Sequence, residues 1–325
     1  MVYNYVYKKE KTKMDTVNFP YYTLNAHLRE RFGCKVVKLS IDAGFTCPNR
    51  DGKISHGGCI FCSRGGSGDF AGNRLLPISR QLEAQKSLLK NKWPSAKYIA
   101  YFQAFTNTYA TVPELRKKYY EALSVDDVIG LSVATRPDCL DDEIIELLRE
   151  ISRTKLLWVE LGLQTSNEAS AKFINRGYKN NVFEYAVNKL NSAGIETVVH
   201  IILGLPYETE KDMLESVRYA CSFNINGIKL QLLHVLKDTP LYEIYTKTPF
   251  KTMSLEEYAD IICKCLEIIP KNIVIHRLTG DGPKKDLIAP LWSADKKSSL
   301  NKLNKIMRKK NVFQGNKLIE ITGLK

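Results

Sequence analysis

The feature that most limits the folds open to this chain is a rhythm. Between residues 36 and 278, short apolar runs rich in β-branched residues alternate with longer stretches of helical period. The runs are VVKLSI (36–41), KYIAYFQAF (97–105), VIGLSVA (128–134), LLWVELGLQ (156–164), ETVVHIILGL (196–205), GIKLQLLHVL (227–236) and NIVIHRL (272–278). Among the helical stretches are ISRQLEAQKSLLKNKW, VPELRKKYYEALS, LDDEIIELLREI, NVFEYAVNKLNSAG and TEKDMLESVRYACSF. Near-continuous apolar strands separated by helices predict an α/β fold with a parallel sheet covered by helices. Seven units do not force closure of an eight-stranded barrel, so the expectation is an incomplete parallel barrel of the (β/α)6 type.

No Gly/Ser linker or low-complexity tract breaks this stretch. The predicted organisation is an N-terminal extension (1–35), one core domain (36–285) and a basic C-terminal segment (286–325). In such a fold the carboxyl ends of the strands and the loops after them build the site. Polar residues stand there: Gln103 and Asn107 after the second run, Thr135 and Arg136 after the third, Glu160 and Gln164 on the fourth. His200 lies on the fifth, His234 on the sixth, and Asp281 follows the seventh. All should converge on one mouth. Glu160 interrupts an apolar strand, and an unpaired buried carboxylate is costly. It is expected to face the mouth and position cofactor or substrate, with a structural ion pair as the alternative.

The loop after the first run holds the chemistry. It reads FTCPNRDGKISHGGCIFC (45–62) and carries Cys47, Cys59 and Cys62, three of eight cysteines in the chain. C-x-x-C is a zinc half-site, and His56 or Cys34 would have to complete it. Cys263 and Cys265, two apart on a helical stretch, point to different faces and make no second half-site. A 4Fe–4S cluster fits three thiolates better, because its fourth iron then stays open for a substrate or cofactor. An open iron is what radical chemistry on S-adenosylmethionine uses, the amino and carboxylate groups of the methionine moiety chelating it. Phe61 stands where an aromatic packs beside the adenine. Gly57, Gly58, Gly65 and Gly66 let the loop wrap closely.

Charge points to a partner. The net charge is +13, and KKSSLNKLNKIMRKK (296–310) holds seven Lys or Arg and no acid. Such a surplus favours a polyanion through phosphate contacts and counterion release, although Lys-rich chains without a nucleic-acid role are common. No apolar run approaches the ~20 residues that span a bilayer, and MVYNYVYKKEKTK has no apolar core of a secretory signal. The expected compartment is the cytoplasm, with no membrane partner, where cysteines are more often metal ligands than disulfides.

Later segments give the cysteine loop a family. ATRPD (134–138), VELGLQTSNEASAKFINRGY (159–178) and HIILGLPYET (200–209) resemble, in order, motifs of radical-SAM enzymes of the Elongator-catalytic-subunit-like branch. FQAFTNTYA (102–110), TRPDCLDDE (135–143) and HRLTGDGPKKDLIAPLW (276–292) most resemble a compact bacterial family within it, the MnmL type. The resemblance implies a radical-SAM barrel and a cluster on Cys47, Cys59 and Cys62. It also implies S-adenosylmethionine contacts from Gln164, Arg176 (on the carboxylate), His200 (near the ribose) and Gln103. The branch often has Glu where this chain has Ala134, so that contact is not carried over.

The same resemblance implies action on the wobble uridine of tRNA, converting a 5-carboxymethylaminomethyl side chain to aminomethyl by C–N cleavage. Glu160 would act in catalysis, the basic segment would grip the anticodon arm, and a flavodoxin or ferredoxin would supply the electron. Two other readings stay open. One is a radical-SAM enzyme on a small carboxylate. The other is a non-catalytic zinc-containing RNA-binding protein.

Overall fold

A computed structural model describes residues 19–280 and 282–318. Asp281 and the basic N-terminal stretch lie outside them. Seven parallel strands form one curled sheet: β1 (Val36–Ile41), β2 (Lys97–Phe102), β3 (Val128–Thr135), β4 (Leu156–Gln164), β5 (Glu196–Leu203), β6 (Gly227–Leu232) and β8 (Val274–Arg277). Neighbours in the sheet follow chain order throughout. A small antiparallel pair, β7 (Val235–Leu236) and β9 (Leu287–Ala289), stands apart. The run 227–236 is thus two strands rather than one, because Leu233 leaves the ladder after its amide bonds Leu203 O, at 3.0 Å.

Among the described residues ten α-helices accompany the strands: α1 (Leu24–Phe32), α2 (Ile78–Leu89), α3 (Val112–Leu123), α4 (Asp142–Ser152), α5 (Glu168–Phe173), α6 (Asn180–Ser192), α7 (Glu210–Cys221), α8 (Pro240–Lys247), α9 (Leu255–Ile268) and α10 (Lys296–Lys309). Local chemistry sets their starts. Asp141 caps α4 by accepting from Ile144 N, and Thr209 and Ser254 open α7 and α9 with reciprocal capping boxes.

Side chains alternate across a strand, so each strand contributes to two environments. Leu39, Ile41, Ala100, Phe102, Leu131, Val133, Val159, Leu161, Val199, Ile201, Ile228 and Leu230 face outward and form the main core with the helices. The opposite face lines the barrel and changes character along the strands. At the amino ends it is apolar: Val36, Ile99, Leu156, Trp158 and Val198 pack with Leu28 of α1, which plugs the bottom. One step further it carries Lys38, Tyr101, Ser132, Glu160, His200 and Lys229. At the carboxyl ends it opens into the mouth.

The described part of the C-terminal segment, residues 286–318, is bound to the core through α10 and Trp292. Leu303 and Met307 of α10 belong to the main core, and Trp292 Nε1 donates to Met253 O at 2.8 Å. Among the described residues, no helix is long and apolar enough to cross a membrane.

Candidate active site

The cysteine loop follows β1, and its own backbone folds the long gap. Arg50 N and Asp51 N donate to Cys47 O at 2.8 and 3.2 Å, and Cys62 N donates to Cys59 O at 3.0 Å. Two side chains tie the ends together. Arg50 donates to Cys62 O at 3.0 Å and Ser63 O at 2.6 Å, beneath Gly58. With φ at +83°, a Cβ on Gly58 would stand 2.8 Å from Arg50 Nε, so only glycine serves there. Asn49, fully buried, donates to Asn175 O at 2.6 Å and toward Cys59 Sγ at 3.7 Å.

Cys47, Cys59 and Cys62 line one wall of a cavity of about 640 Å³ at the barrel mouth. Burial chiefly, with Cys62 beside it, pushes the Cys59 thiol up to about 12, while Arg136 and the Asn49 bond pull the other way. A metal would therefore displace a proton from Cys59, and Asn49 is placed to support the resulting thiolate. Among the described residues, no three His, Cys, Asp or Glu side chains gather closely enough for a single ion. Cys34 cannot serve as a fourth zinc ligand, because it packs with the apolar plug at the other end of the barrel. Three thiols on one wall, each free for its own iron, fit a cubane.

The strand-end residues gather as expected, with one exception among those described. Phe61, Gln103, Thr135, Arg136, Glu160, Gln164, Arg176, His200 and His234 all line the cavity. Asn107 does not. It is fully buried, and its amide donates to Phe102 O at 3.0 Å and Ala134 O at 2.9 Å, tying β2 to β3. Gln103 Nε2 bonds Ser67 O at 2.7 Å and joins the second strand to the cysteine loop. Phe61 packs against an apolar group that includes Ile60, Ile174 and Ile202. Gln164 ends β4 at φ +62° beside a register shift, and its Oε1 accepts from Tyr178 OH at 3.1 Å.

Arg176 departs from its expected use. Its guanidinium is 1% exposed and donates to Leu163 O, Thr165 O, Tyr178 O and Asn180 Oδ1 at 2.8–3.0 Å. Those bonds engage all five N–H groups of the fork and leave none for a ligand carboxylate. Arg176 instead fixes the turn that presents Gln164, and its own carbonyl accepts from Arg136 at 2.9 Å.

Glu160, expected to position cofactor or substrate or else to pair with a cation, lines the cavity and is also paired. Its carboxylate is fully buried and meets four groups. Lys38 Nζ and Ser132 Oγ bond one oxygen, at 2.5 and 2.6 Å. His200 Nε2, at 2.7 Å, and Lys229 Nζ bond the other. These fill the acceptor capacity of a carboxylate. Burial would raise its carboxyl, but Lys229, Lys38 and the His200 bond outweigh that and hold it well below the usual range. Burial, with Lys229 nearby, lowers His200 to about 4. His200 is therefore neutral at pH 7, and its Nε2–H donates to Glu160.

Lys229 itself is lowered to about 7, mostly by burial and further by Lys38 and Arg277, with Glu160 opposing. Lys38, Lys229, Tyr101 and Ser132 were not singled out by sequence. The signal was present: lysines at the third position of VVKLSI and GIKLQLL interrupt apolar strands as Glu160 does.

The rim is basic. Lys284 and Lys296 line the cavity mouth. Beyond them the exposed side of α10 carries Lys297, Lys302 and Lys305 around a shallow groove, with Arg308 and Lys309 further along.

The sequence and fold have known counterparts. The model of the Radical SAM superfamily matches residues 49–220, and that of the Radical SAM C-terminal domain matches residues 225–309. The Bacillus subtilis protein YtqA is 48% identical over 91% of this chain and 92% of its own length. A tRNA uridine(34) acetyltransferase of Methanocaldococcus jannaschii is 27% identical over 54% of this chain, a match that spans 32% of that protein. The solved structure of Methanocaldococcus infernus Elp3 with an N-terminal deletion has the same fold. It aligns with a TM-score of 0.67 at 18% identity and covers 86% of this chain and 64% of that one.

Proposed function

The chain belongs to the radical SAM superfamily, and from that premise we propose that it modifies the wobble uridine of tRNA. Its cofactors are a 4Fe–4S cluster and S-adenosylmethionine, which together supply a 5′-deoxyadenosyl radical. Cys47, Cys59 and Cys62 hold three irons of the cluster and leave the fourth open. Gln164, Gln103 and Phe61 surround S-adenosylmethionine at the mouth, with His200 in the layer beneath them. Arg176 positions Gln164 through the turn it braces, and Glu160 fixes His200 and Lys229. A flavodoxin or ferredoxin is the class of electron donor that fits such a site.

The observation that carries the tRNA reading is the continuity of the cavity with the basic side of α10. Lys296 belongs to both the cavity rim and the helix. Phosphates of an anticodon arm lying along α10 would bring an unstacked base to the mouth. The relative named for uridine 34 of tRNA supports the same target. The reaction is loss of the carboxymethyl arm from 5-carboxymethylaminomethyluridine. The arm's CH2 next to nitrogen would give up a hydrogen atom and then an electron, S-adenosylmethionine serving as the overall two-electron oxidant. Water would split the resulting imine into glyoxylate and the aminomethyl product. Hydrogen leaves most readily from the carbon next to nitrogen, whose lone pair stabilises the resulting radical.

Mass spectrometry of tRNA nucleosides tests this. A deletion strain should accumulate carboxymethylaminomethyl-uridine, and the wild-type gene should clear it whereas a Cys59→Ala gene should not. An unchanged nucleoside profile would overturn the proposal.

A further inference from the structure

The ring of charge inside the barrel is out of balance. Two buried lysines, Lys38 and Lys229, share one carboxylate, that of Glu160. The groups facing Lys229 come from five strands: Glu160 of β4, His200 of β5, Tyr101 of β2, Lys38 of β1 and Arg277 of β8. Only one of them is an acid. Even a matched buried ion pair gains little over apolar packing, and a surplus cation gains less. Stability therefore gives no reason for the second lysine. Of the two, only Lys229 lies on the cavity wall, together with Tyr101, Gln231 and Arg277.

We propose that Lys229, with Tyr101 and Arg277 beside it, receives the carboxylate at the end of the substrate's side chain. The inference rests on the tRNA reading above, in which the base enters carrying a carboxymethylaminomethyl arm. Lys229 is the third residue of β6, which runs to the mouth at Leu232, so it stands below the rim. The cysteines lie beyond the carboxyl end of β1, at the opposite level of the cavity. An arm held by its carboxylate at Lys229 and by its base at the mouth presents its carbon–nitrogen bond to the space between. The amino-acid end of S-adenosylmethionine belongs at the cysteine loop and does not compete. The product ends in an ammonium group, which the same cations repel, so the site also favours release.

The test measures binding of stem-loop RNAs to the cluster-loaded enzyme without oxygen. One RNA carries the carboxymethylaminomethyl arm at the wobble position and one carries its neutral carboxamide. Wild type should bind the acid at least about tenfold more tightly, as for a charged group meeting a desolvated cation. Lys229→Met should reduce that preference below about threefold, and Lys229→Arg should restore part of it. A wild-type preference under twofold, or full preference in Lys229→Met, would overturn the proposal.

Should Lys229→Met not fold, proton uptake by wild type decides. An arriving carboxylate raises the Lys229 pKa, so at pH 8 the acid RNA should take up close to one proton more than the carboxamide. Equal uptake would overturn the site. If no stem-loop binds, the tRNA reading fails, and N-methylglycine against its amide then judges Lys229. Calorimetric binding of the acid alone would keep the site, and no binding would remove it.

Discussion

Replacing Glu160 by Gln removes the one carboxylate that two buried lysines share and leaves its shape. A buried ammonium without its counterion can escape the penalty by losing its proton, and this sets a ceiling on the cost. At pH 7.5, holding a lysine neutral whose unfolded pKa is about 10.4 costs at most about 1.36 × (10.4 − 7.5), or about 4 kcal/mol. Lys229, lowered to about 7, is already largely neutral at that pH in the wild type. Lys38 is then the lysine that changes state; burial already lowers it in the wild type while Glu160 opposes, so the expected loss falls below that ceiling, at about 3 kcal/mol.

The pH dependence has a definite sign. A lysine whose folded pKa lies below its unfolded value binds fewer protons when folded, so its contribution makes stability rise with pH. Between about pH 7.5 and 9.5 Lys229 contributes a rise of about 1.4 kcal/mol per pH unit to wild type and variant alike, and the buried thiols, whose raised pKa values act with the opposite sign, also contribute equally to both. In the variant Lys38 loses the Glu160 interaction that opposes its lowering by burial, and it adds up to about 1.4 kcal/mol per pH unit more than in the wild type. The deficit should therefore shrink as pH increases. Urea unfolding followed by circular dichroism at pH 7.5, 8.5 and 9.5 measures it. A variant within about 1 kcal/mol of wild type at pH 7.5, or a deficit that does not move with pH, would show that Glu160 is not the counterion of Lys38.

Cys59→Ala should purify without the brown absorption near ~400 nm and with iron well below that of wild type, read by metal analysis of anaerobic protein; full iron content would remove Cys59 from the cluster. Arg176→Lys keeps the charge but cannot reach four acceptors, so it should lose about 2–3 kcal/mol of stability. Its S-adenosylmethionine affinity in the folded enzyme should change by less than about tenfold, because that side chain has no donor left for the ligand; a larger loss, measured by equilibrium dialysis, would return Arg176 to the binding site. Lys302→Ala with Lys305→Ala should weaken tRNA binding and flatten the dependence of log K on log salt by about 1.4–1.8, the release expected from two phosphate contacts. An unchanged slope would take the tRNA off this part of α10.

The strands were legible because burial on both faces leaves a run of β-branched residues that little else produces. The helix α10 was harder to read, since its lysines drew attention to charge. Yet Ser299, Leu303 and Met307 recur every fourth residue, and these are its buried positions. That spacing marks a docked helix, and a docked helix can hold its lysines in fixed places along the rim. The division of residues 227–236 was not legible, because Leu233 leaves the sheet through a bond to Leu203, thirty residues earlier.

At the site, sequence showed which residues are polar among apolar neighbours but not what they meet. Glu160 stood out as a charge inside a strand, and Lys38 and Lys229 carry the same mark with opposite sign. What joins them is register. His200 lies opposite Lys229, Glu160 stands two residues before Gly162, the partner of His200, and Ser132 two residues before Ala134, the partner of Glu160, so diagonal neighbours on one face of β3 to β6 bring the four side chains together. Curling the sheet brings β1 with Lys38 across to the same carboxylate. Arg176 shows the converse. Its spacing from Gln164 matches a ligand-binding pair, but the chain on either side of Gln164 and just after Arg176 offers four acceptors, Leu163 O, Thr165 O, Tyr178 O and Asn180 Oδ1, and the guanidinium satisfies those first. A charged residue in a loop is open to a ligand only if the loop leaves its donors unspent. By the same accounting, Lys229 differs from Arg176: it bonds one carboxylate and one phenol, it borders the cavity, and the cations around it outnumber the acids. An incoming anion therefore has something to add at Lys229 and nothing to add at Arg176.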